Sequence, residues 1–360
     1  MPKTEKIFKV LAINPGSTST KLAVYENERL VVKDVIRHDT LEFDKCPTLM
    51  DQKPRRVECL MKFLQDNDIA LAGLSAVVGR GGLLKPLCSG TYIVGEEMLK
   101  DLYSSAYGVH AASLGAIIAD EIGRQQNIPA YIVDSVAVDE FEPPARLSGL
   151  PGMERRSFFH ALNAKAVARL CARELGMRYE DARFVVAHLG GGITVGAHRY
   201  GRVIDVNDAL AGDGPFTPER SGAVPLHHII ELCFAGQHTK QEIKDMVSKR
   251  GGMKAYLGIH DLSQAENMIQ NGDERAALVV EAMAYQIAKE IGAMVTVLEG
   301  RLHAIILTGG LAHSTRFTGA IKQRVDQLAP VMTYPGENEL EALAQGALRV
   351  LRGEEKAKHY

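Results

Sequence analysis

The chain has 360 residues, of which 44 are acidic and 42 are basic, so its formal net charge is only −2. This near balance excludes the strongly basic surface that binds nucleic acids or anionic membranes, and a hydrophobic content of 46% excludes a mainly disordered chain. The five cysteines form no C-x-x-C pair, which favours reduced thiols in a cytoplasmic protein. The first residues are charged and contain no apolar run, so we expect a cytoplasmic location.

The first predicted element is a pair of short apolar strands joined by a turn of small and hydroxyl residues. Residues 14–21 read NPGSTSTK and separate the apolar runs 10–13 and 22–24. Glycine and hydroxyl residues between strands present N–H and O–H donors, which phosphate oxygens accept. The sequence contains no Walker A motif, so this turn is not a P-loop. A solvated β-turn is the alternative interpretation.

Strands and helices alternate after this hairpin. The apolar runs 75–78 and 130–133 predict buried strands, and the apolar stripe of 113–126 between them predicts a helix. A Pro/Gly-rich stretch from 142 to 152 interrupts the apolar periodicities of both strands and helices, as expected at a domain boundary. The first half of the chain therefore has an α/β pattern.

A second glycine turn between apolar strands lies in the middle of the chain, where residues 188–192 read HLGGG. The other elements predicted for the second half are a helix at 155–175, a helix at 276–298, a strand at 304–307 and a helix at 339–352. We place an N-terminal domain at 1–150, completed by 339–360, and a second domain at 151–338. Two similar turns suggest that one phosphate chain is held from both sides.

Three side chains near these elements are candidates for chemistry. Asp134 ends the strand 130–133, where ligands bind in open α/β sheets, although a cap or turn residue is the alternative. His160 lies in the predicted helix, where a hydrogen-bonded core histidine is the alternative. Arg220 lies in the Gly/Pro-rich loop 212–222. Its guanidinium is suited to binding carboxylate or phosphoryl oxygens, although an ordinary surface arginine is the alternative.

Three segments in this order resemble the motifs of one family. Residues 14–21 are similar to the N-terminal signature of acetate and butyrate kinases, 188–192 to their second phosphate loop, and 307–312 (LTGGLA) to their adenosine loop. The chain thus resembles the acetokinase family of the actin/hexokinase/acetate-kinase superfamily. The resemblance implies an α/β fold with two similar domains of the duplicated ribonuclease-H-like type and a nucleotide cleft between them.

The resemblance also implies roles for individual residues. Asp134, His160 and Arg220 match the catalytic residues of the family, with His160 and Arg220 facing the transferred phosphoryl group. His110 matches a histidine near the acyl substrate. The residues that match the nucleotide- and phosphate-binding positions are Asn14, Ser17, Ser19, Lys21, His188, Gly190, Gly191, Gly192, Gly309 and Gly310.

The cofactor implied by the resemblance is Mg²⁺ bound together with ATP. Asp134 would orient the ion or one of its water molecules. Residues 335–344 (PGENELEALA) resemble a family segment whose glutamate is associated with magnesium. This similarity assigns an outer-shell role to Glu339, or to Glu337 by a shift of frame.

The segment before the first domain's helix departs from the acetate-kinase pattern. Those enzymes commonly read RVVHGG where residues 77–82 read VVGRGG. We expect Arg80 to bind the substrate carboxylate, and Gly79, in place of a branched residue, to leave room for roughly two or three more carbons. The turn 79–86 is also similar to that of butyrate kinases. These features predict phosphorylation of butanoate by ATP to give butanoyl phosphate and ADP, in a reversible reaction.

Two other functions are compatible with the sequence. One is an acetate or propionate kinase, and the other is an ATP-dependent chaperone or filament protein of the same superfamily. The expected partners are ATP or ADP and a short-chain carboxylate or acyl phosphate, without nucleic acid or membrane. The apolar helix 276–298 is a candidate interface for a homo-oligomer, although burial inside the subunit would explain it as well.

Overall fold

The computed structural model describes residues 6–39, 43, 46–210 and 212–360. The chain divides into two compact units, one formed by Met1–Val138 with Asn338–Tyr360 and the other by Asp139–Glu337. The first division therefore lies after Val138, whereas the sequence placed the domain boundary after residue 150. None of the described helices is both long enough and apolar enough to cross a membrane.

The described residues form eleven strands and twelve α-helices with described bounds. The strands are β1 (Lys9–Pro15), β2 (Ser19–Glu26), β3 (Arg29–Arg37), β4 (Ala76–Gly79), β5 (Thr91–Ile93), β6 (Ala130–Val133), β7 (Arg183–Leu189), β8 (Ile193–Arg199), β9 (Arg202–Val206), β10 (Ala304–Gly309) and β11 (Val331–Pro335). The helices are α1 (Lys53–Asp66), α2 (Glu96–Ser104), α3 (Ser113–Gln126), α4 (Pro143–Arg146), α5 (Ala161–Glu174), α6 (Leu226–Phe234), α7 (Lys240–Ser248), α8 (Gly252–Leu257), α9 (Leu262–Gln270), α10 (Glu274–Val297), α11 (Thr315–Val325) and α12 (Glu339–Leu351).

The first unit contains a six-stranded sheet in the order β3-β2-β1-β4-β6-β5. Strands β1, β2 and β3 form an antiparallel meander, β4 and β6 continue the sheet in parallel, and β5 is antiparallel to β6. Helices α3 and α12 pack on this sheet. The central strands carry the apolar runs 10–13, 76–78 and 130–133 because these residues are buried on both faces of the sheet.

The second unit contains a five-stranded sheet in the order β11-β10-β7-β8-β9. Strands β7, β8 and β9 form an antiparallel meander, and β10 and β11 add in parallel. The apolar stripe of α10, which includes Met283, Ile287 and Ile291, is fully buried in the core of this unit. Burial inside the subunit therefore accounts for this stripe, and the homo-oligomer stays a prediction.

The two sheets share one topology. The order β3-β2-β1-β4-β6 in the first unit corresponds to β9-β8-β7-β10-β11 in the second, with a meander followed by parallel strands in each. The predicted fold class, an α/β protein of two similar domains, is confirmed. Both glycine turns occupy the same position, namely the connection between the first two strands of their sheet.

One predicted helix begins later than expected. The sequence predicted a helix at 155–175, but α5 begins at Ala161, and residues 155–160 are irregular. The guanidinium of Arg155 donates to the Asp205 carboxylate (2.8 Å) and to the Val206 carbonyl (3.2 Å), which ties this segment to β9. His160 consequently precedes the helix instead of lying within it.

Candidate active site

The first glycine turn presents its polar groups on one face of the sheet. Asn14 of β1 lies opposite Lys21 of β2 in the antiparallel register, so both side chains are on the same face, together with Ser19. Thr20 points to the other face and is fully buried. Ser17 is exposed, and Ser19 and Lys21 are half-buried. A ligand can therefore reach the hydroxyl and ammonium groups that the sequence predicted for phosphate binding.

The structure brings together three residues for which the sequence predicted separate roles. Glu339, the first residue of α12, is buried. Its Oε2 accepts a hydrogen bond from Asn14 Nδ2 (2.5 Å), and its Oε1 forms an ion pair with the Arg80 guanidinium. The Glu339 carboxylate compensates the charge of Arg80. A substrate carboxylate would therefore share this guanidinium with Glu339.

The contacts of Glu339 with Asn14 and Arg80 limit how its carboxylate can coordinate a metal ion. Mg²⁺ is usually bound by one or two carboxylates together with phosphate oxygens and water. Within the described ranges, no group of three or more His, Cys, Asp or Glu side chains is placed to hold a metal. Each oxygen of Glu339 has a second lone pair for a metal-bound water, which fits an outer-shell role, whereas direct ligation would place the ion against Arg80. The alternative residue, Glu337, belongs to the second unit.

His110 lies close enough to Arg80 for the two side chains to interact electrostatically. Partial loss of solvation, followed by the positive charge of Arg80, lowers the pKa of His110, while Glu339 acts in the opposite direction. The ring is therefore neutral near neutral pH. Its Nδ1 accepts a hydrogen bond from the Ala112 N–H (3.1 Å), so the ring proton is on Nε2. His110 can consequently donate a hydrogen bond from Nε2 to an oxygen of a ligand.

Asp134 follows β6 in an unusual backbone conformation. Its φ is 40°, in the left-handed region that asparagine and aspartate adopt more readily than most other residues. The side chain is buried, and its Oδ1 accepts a hydrogen bond from the Gly90 N–H (2.8 Å) while its own N–H donates to the Gly90 carbonyl (3.1 Å). The carboxylate is thus fixed in position and fits the role of a single oxygen donor.

The space expected at Gly79 is already filled by protein. A Cβ on Gly79 would overlap the carbonyl group of Gly115 in α3 and would lie 2.7 Å from the Ala116 N atom. Conversely, a Cβ on Gly115 would lie 2.7 Å from the backbone N and O atoms of Arg80. The expectation that Gly79 enlarges the acyl pocket is therefore wrong, because its missing side chain allows α3 to pack directly against the end of β4.

We expect the substitution Gly79→Ala to lower the free energy of unfolding by about 2 kcal/mol or more. The added methyl group meets backbone atoms, which cannot rotate away as a side chain would. Urea unfolding would measure the change. The control is Gly73→Ala in the same unit, where a Cβ would contact nothing within 4 Å, and where we expect a change within about 0.5 kcal/mol. Equal stability of both variants would contradict this packing.

Two histidines stack beside the glycine turn of the second unit. The rings of His160 and His188 are nearly parallel (7°), with centroids 3.8 Å apart. His160 Nδ1 lies 3.1 Å from Thr194 Oγ1, and Thr194 is opposite His188 in the β7–β8 register. The stack and the Thr194 contact thus hold both rings beside the second glycine turn.

A chain of hydrogen bonds fixes the orientation of His188. Thr308 Oγ1 donates to the Gly336 carbonyl (3.3 Å) and therefore accepts from Asn163 Nδ2 (3.2 Å). The same Nδ2 group donates to His188 Nδ1 (2.9 Å), which leaves the ring proton on Nε2. That Nε2 is buried and makes no well-aligned hydrogen bond to any described residue, although Glu337 Oε1 is 3.1 Å away. An anionic ligand would therefore compete with the Glu337 carboxylate for this N–H.

Arg220 lies directly over the second glycine turn. A Cβ on Gly192 would overlap the Arg220 guanidinium, so this position has to be glycine for the arginine to lie where it does. The guanidinium donates to the Ala209 carbonyl, and Thr217 Oγ1 donates to the Gly191 carbonyl (2.7 Å) and accepts from the Arg220 N–H (3.0 Å). Burial lowers the pKa of Arg220, but an arginine stays charged near neutral pH.

A cavity of about 530 Å³ lies next to this turn within the second unit. Its lining residues are Gly191, Pro218, Glu219, His260, Asp261, Leu262, Ser263, Glu266, Gly310, Leu311, His313 and Ser314. The volume is in the range of small-molecule sites, and Gly191 and Gly310 are two of the predicted nucleotide-binding residues. Gly309, a third predicted nucleotide-binding residue, is also required by packing, since its φ is 91° and a Cβ there would overlap the Leu189 backbone.

Comparison with known proteins identifies the family of this chain. The sequence pattern of the acetokinase family matches residues 151–331, which is half of the chain. The chain belongs to the acetokinase family. As a member, it is a kinase of the type that transfers a phosphoryl group to a carboxyl group.

The structure of this acetokinase is similar to several solved structures. Porphyromonas gingivalis acetate kinase is 19% identical, with a TM-score of 0.80 over 96% of this chain and 100% of that one. A propionate kinase from Francisella tularensis subsp. tularensis is 20% identical, with a TM-score of 0.77 over 94% and 98%. A putative N-acetylmannosamine kinase from Listeria monocytogenes is 13% identical, with a TM-score of 0.54 over 97% and 100%. These likenesses confirm the duplicated fold.

The sequence did not predict several residues that hold the site of this acetokinase together. Asn163 orients His188, Thr194 contacts His160, and Thr217 joins the glycine turn to the loop of Arg220. Asn163 follows His160 by three residues, and this spacing alone would have made Asn163 a candidate for a position near His160. The bond from Thr217 to Gly191 had no such signal, because the two residues are 26 positions apart.

Proposed function

We propose that this acetokinase phosphorylates the carboxylate of a short-chain fatty acid with ATP, in a reversible reaction, and that butanoate is the preferred acid. The observation that carries the kinase proposal is the position of Arg220 over Gly192, in the same turn whose Gly190 lies against the buried His188 Nε2. A glycine turn with a guanidinium above it offers planar, charged donors to phosphoryl oxygens. Phosphoryl transfer requires mainly this kind of alignment and charge stabilisation.

The predicted residues have the following roles in the proposal. Ser17, Ser19, Lys21 and the glycines of both turns bind phosphate oxygens, and the cavity beside Gly310 accepts the nucleoside. Arg220 and His160 face the transferred phosphoryl group. The acid binds near Arg80 and His110, where the His110 Nε2–H donates to one of its oxygens. A carboxylate is already ionised near neutral pH, so the reaction does not need a strong general base.

Mg²⁺ would be held together with ATP, and Asp134 fits this role with its fixed carboxylate. Glu339 fits as an acceptor for a metal-bound water, as long as it keeps its bonds to Asn14 and Arg80. When bound, the ion supplies positive charge that neutralises the phosphates. The protein's own contribution is to orient the carboxylates toward it.

Preference for butanoate is supported by the similarity of residues 79–86 to the corresponding turn of butyrate kinases. The packing of Gly79 against Gly115 removes the volume argument for a larger acid. An acetate or propionate kinase is therefore the main alternative, and the solved relatives with those names have the same fold. The two alternatives differ only in the acid, so kinetics with a series of acids decides between them.

A hydroxamate assay tests the proposal. The purified protein is incubated with ATP, Mg²⁺ and hydroxylamine, which traps acyl phosphate, together with acetate, propionate, butanoate or isobutanoate. We expect butanoate to give the highest kcat/KM, at least about tenfold above acetate, which corresponds to roughly two buried CH₂ groups. Protein with Arg220→Ala serves as the control for contaminating kinases. Equal kcat/KM for acetate would overturn the butanoate preference, and no product with any acid would overturn the kinase itself.

A further inference from the structure

A buried arginine lies directly behind the first phosphate turn. Arg56, in α1, has a side chain that is 0% exposed, and its guanidinium contacts the start of the turn and the first residues of β2. Nη2 donates to the Gly16 carbonyl (2.8 Å), and Nη1 donates to the Ser19 carbonyl (3.0 Å) and the Thr20 hydroxyl (2.8 Å). Nη2 also donates to Gln52 Oε1 (3.0 Å) just before α1. One side chain thus links the two sides of the turn.

All four of these hydrogen bonds go to neutral acceptors, and the guanidinium also lies 4.8 Å from the centroid of the Phe43 ring. Burial lowers the pKa of Arg56 to about 10, so the guanidinium is still charged near neutral pH. Burying a charge on neutral oxygens costs free energy that a leucine or methionine at this position would not cost. A structural role in packing alone would therefore be better served by an apolar residue.

The network around Arg56 lies on the face of the sheet opposite to Lys21. Thr20 is fully buried on that face. The Thr20 hydroxyl accepts from Arg56 and also lies within hydrogen-bond distance of His38 Nε2, 2.8 Å away. Burial first, and then the charges of Arg56 and Arg55, lower the pKa of His38 to about 4. The neutral ring of His38 can therefore accept a hydrogen bond from this hydroxyl near neutral pH.

We propose that Arg56 is a positioning residue for phosphate binding: it holds Gly16 and Ser19 so that the N–H and O–H groups of the turn face the phosphates of ATP. The inference rests on the proposed function, because it assumes that this turn binds phosphate. A guanidinium suits the task since its two Nη groups reach acceptors on both sides of the turn, Gly16 and Ser19, whereas a lysine ammonium is a single point donor. Its positive charge behind the turn also favours the approach of phosphate.

The substitution Arg56→Lys tests this role, because it keeps the positive charge and removes the two separate Nη donor groups. We expect the KM for ATP and the Kd for ADP, measured by calorimetry, to rise roughly tenfold or more, since several charge-assisted hydrogen bonds are lost. The KM for the acid and kcat at saturating ATP should stay within about threefold, because the turn binds ground state and transition state alike. The matched control is Arg349→Lys in α12, a half-buried arginine paired with Glu355, which should leave the KM for ATP unchanged.

A second variant keeps the test valid if Arg56→Lys does not fold. Thr20→Val has nearly the same shape and removes one acceptor of Arg56 on the face away from Lys21, so it should also raise the KM for ATP severalfold. A KM for ATP within about twofold of the wild type in a folded variant overturns the inference. Failure of the wild type to form acyl phosphate would instead overturn the proposed function, and the ADP affinities of the same proteins would still decide the role of Arg56.

Discussion

Replacement of Arg220 by alanine is expected to lower kcat by about a thousandfold, in line with the effect of arginines that stabilise phosphoryl transfer. This corresponds to about 4 kcal/mol of transition-state stabilisation. The guanidinium lies against Gly192, so we expect it to stabilise developing charge with little reorganisation. The KM for the acid should change much less than kcat. Steady-state hydroxamate kinetics at saturating ATP would measure both constants.

Arg220 also holds its own loop through the Ala209 carbonyl, so a catalytic loss has to be separated from a structural one. The substitution Gly192→Ala does this, because the added methyl group displaces the flexible end of Arg220 and leaves the residue itself in place. We expect most of the loss in kcat to reappear in this variant, with a change in unfolding free energy of about 1 kcal/mol or less.

The substitution Lys254→Ala is the matched control for the loop. Lys254 lies 3.6 Å from the carboxylate of Glu219, the neighbour of Arg220, and this half-exposed pair should contribute little to stability. We expect normal kcat in this variant. A kcat for Arg220→Ala within about tenfold of the wild type would contradict the assignment of Arg220 to the transition state.

Features that depend on neighbouring residues were predictable from the sequence. The helix 113–126 and the strand 130–133 have the predicted bounds, because apolar periodicity is a local property. The two glycine turns were predictable for the same reason, since small and hydroxyl residues between apolar runs indicate a turn wherever they occur. Their position in two sheets of the same topology then followed from the repeated order of elements.

Contacts between distant residues could not be predicted in the same way. Asn14 and Glu339 are 325 positions apart in the chain, and nothing near either residue indicates that they share a hydrogen bond. The packing around Gly79 could not be predicted from the sequence for the same reason. The sequence reveals that a side chain is missing there but not that the backbone of Gly115 fills the space. The roles assigned to the site residues by resemblance therefore stay predictions until variants are measured.

The substitution Asp134→Asn is expected to lower kcat by about a hundredfold or more, with the KM for the acid within about threefold. It removes the negative charge with which Asp134 would hold Mg²⁺ or its water. The amide oxygen of asparagine can still accept the hydrogen bond from Gly90, and asparagine tolerates the positive φ of this position. The fold should therefore stay intact. Normal kcat with a raised KM for the acid would refute this role.

The Mg²⁺ dependence of the same variant separates a role at the metal from an anchoring role at Gly90. If the carboxylate serves the ion, Asp134→Asn should need more Mg²⁺ for half-maximal activity at a fixed ATP concentration. If it only anchors Gly90, the variant should lose stability while its kcat and Mg²⁺ requirement stay normal. Asp68→Asn is the control, because Asp68 is an exposed aspartate with a φ of 54°, so it reports the effect of this substitution on backbone strain alone. Because both substitutions remove one carboxylate at a positive φ, a difference in Mg²⁺ requirement between them is attributable to the position of Asp134.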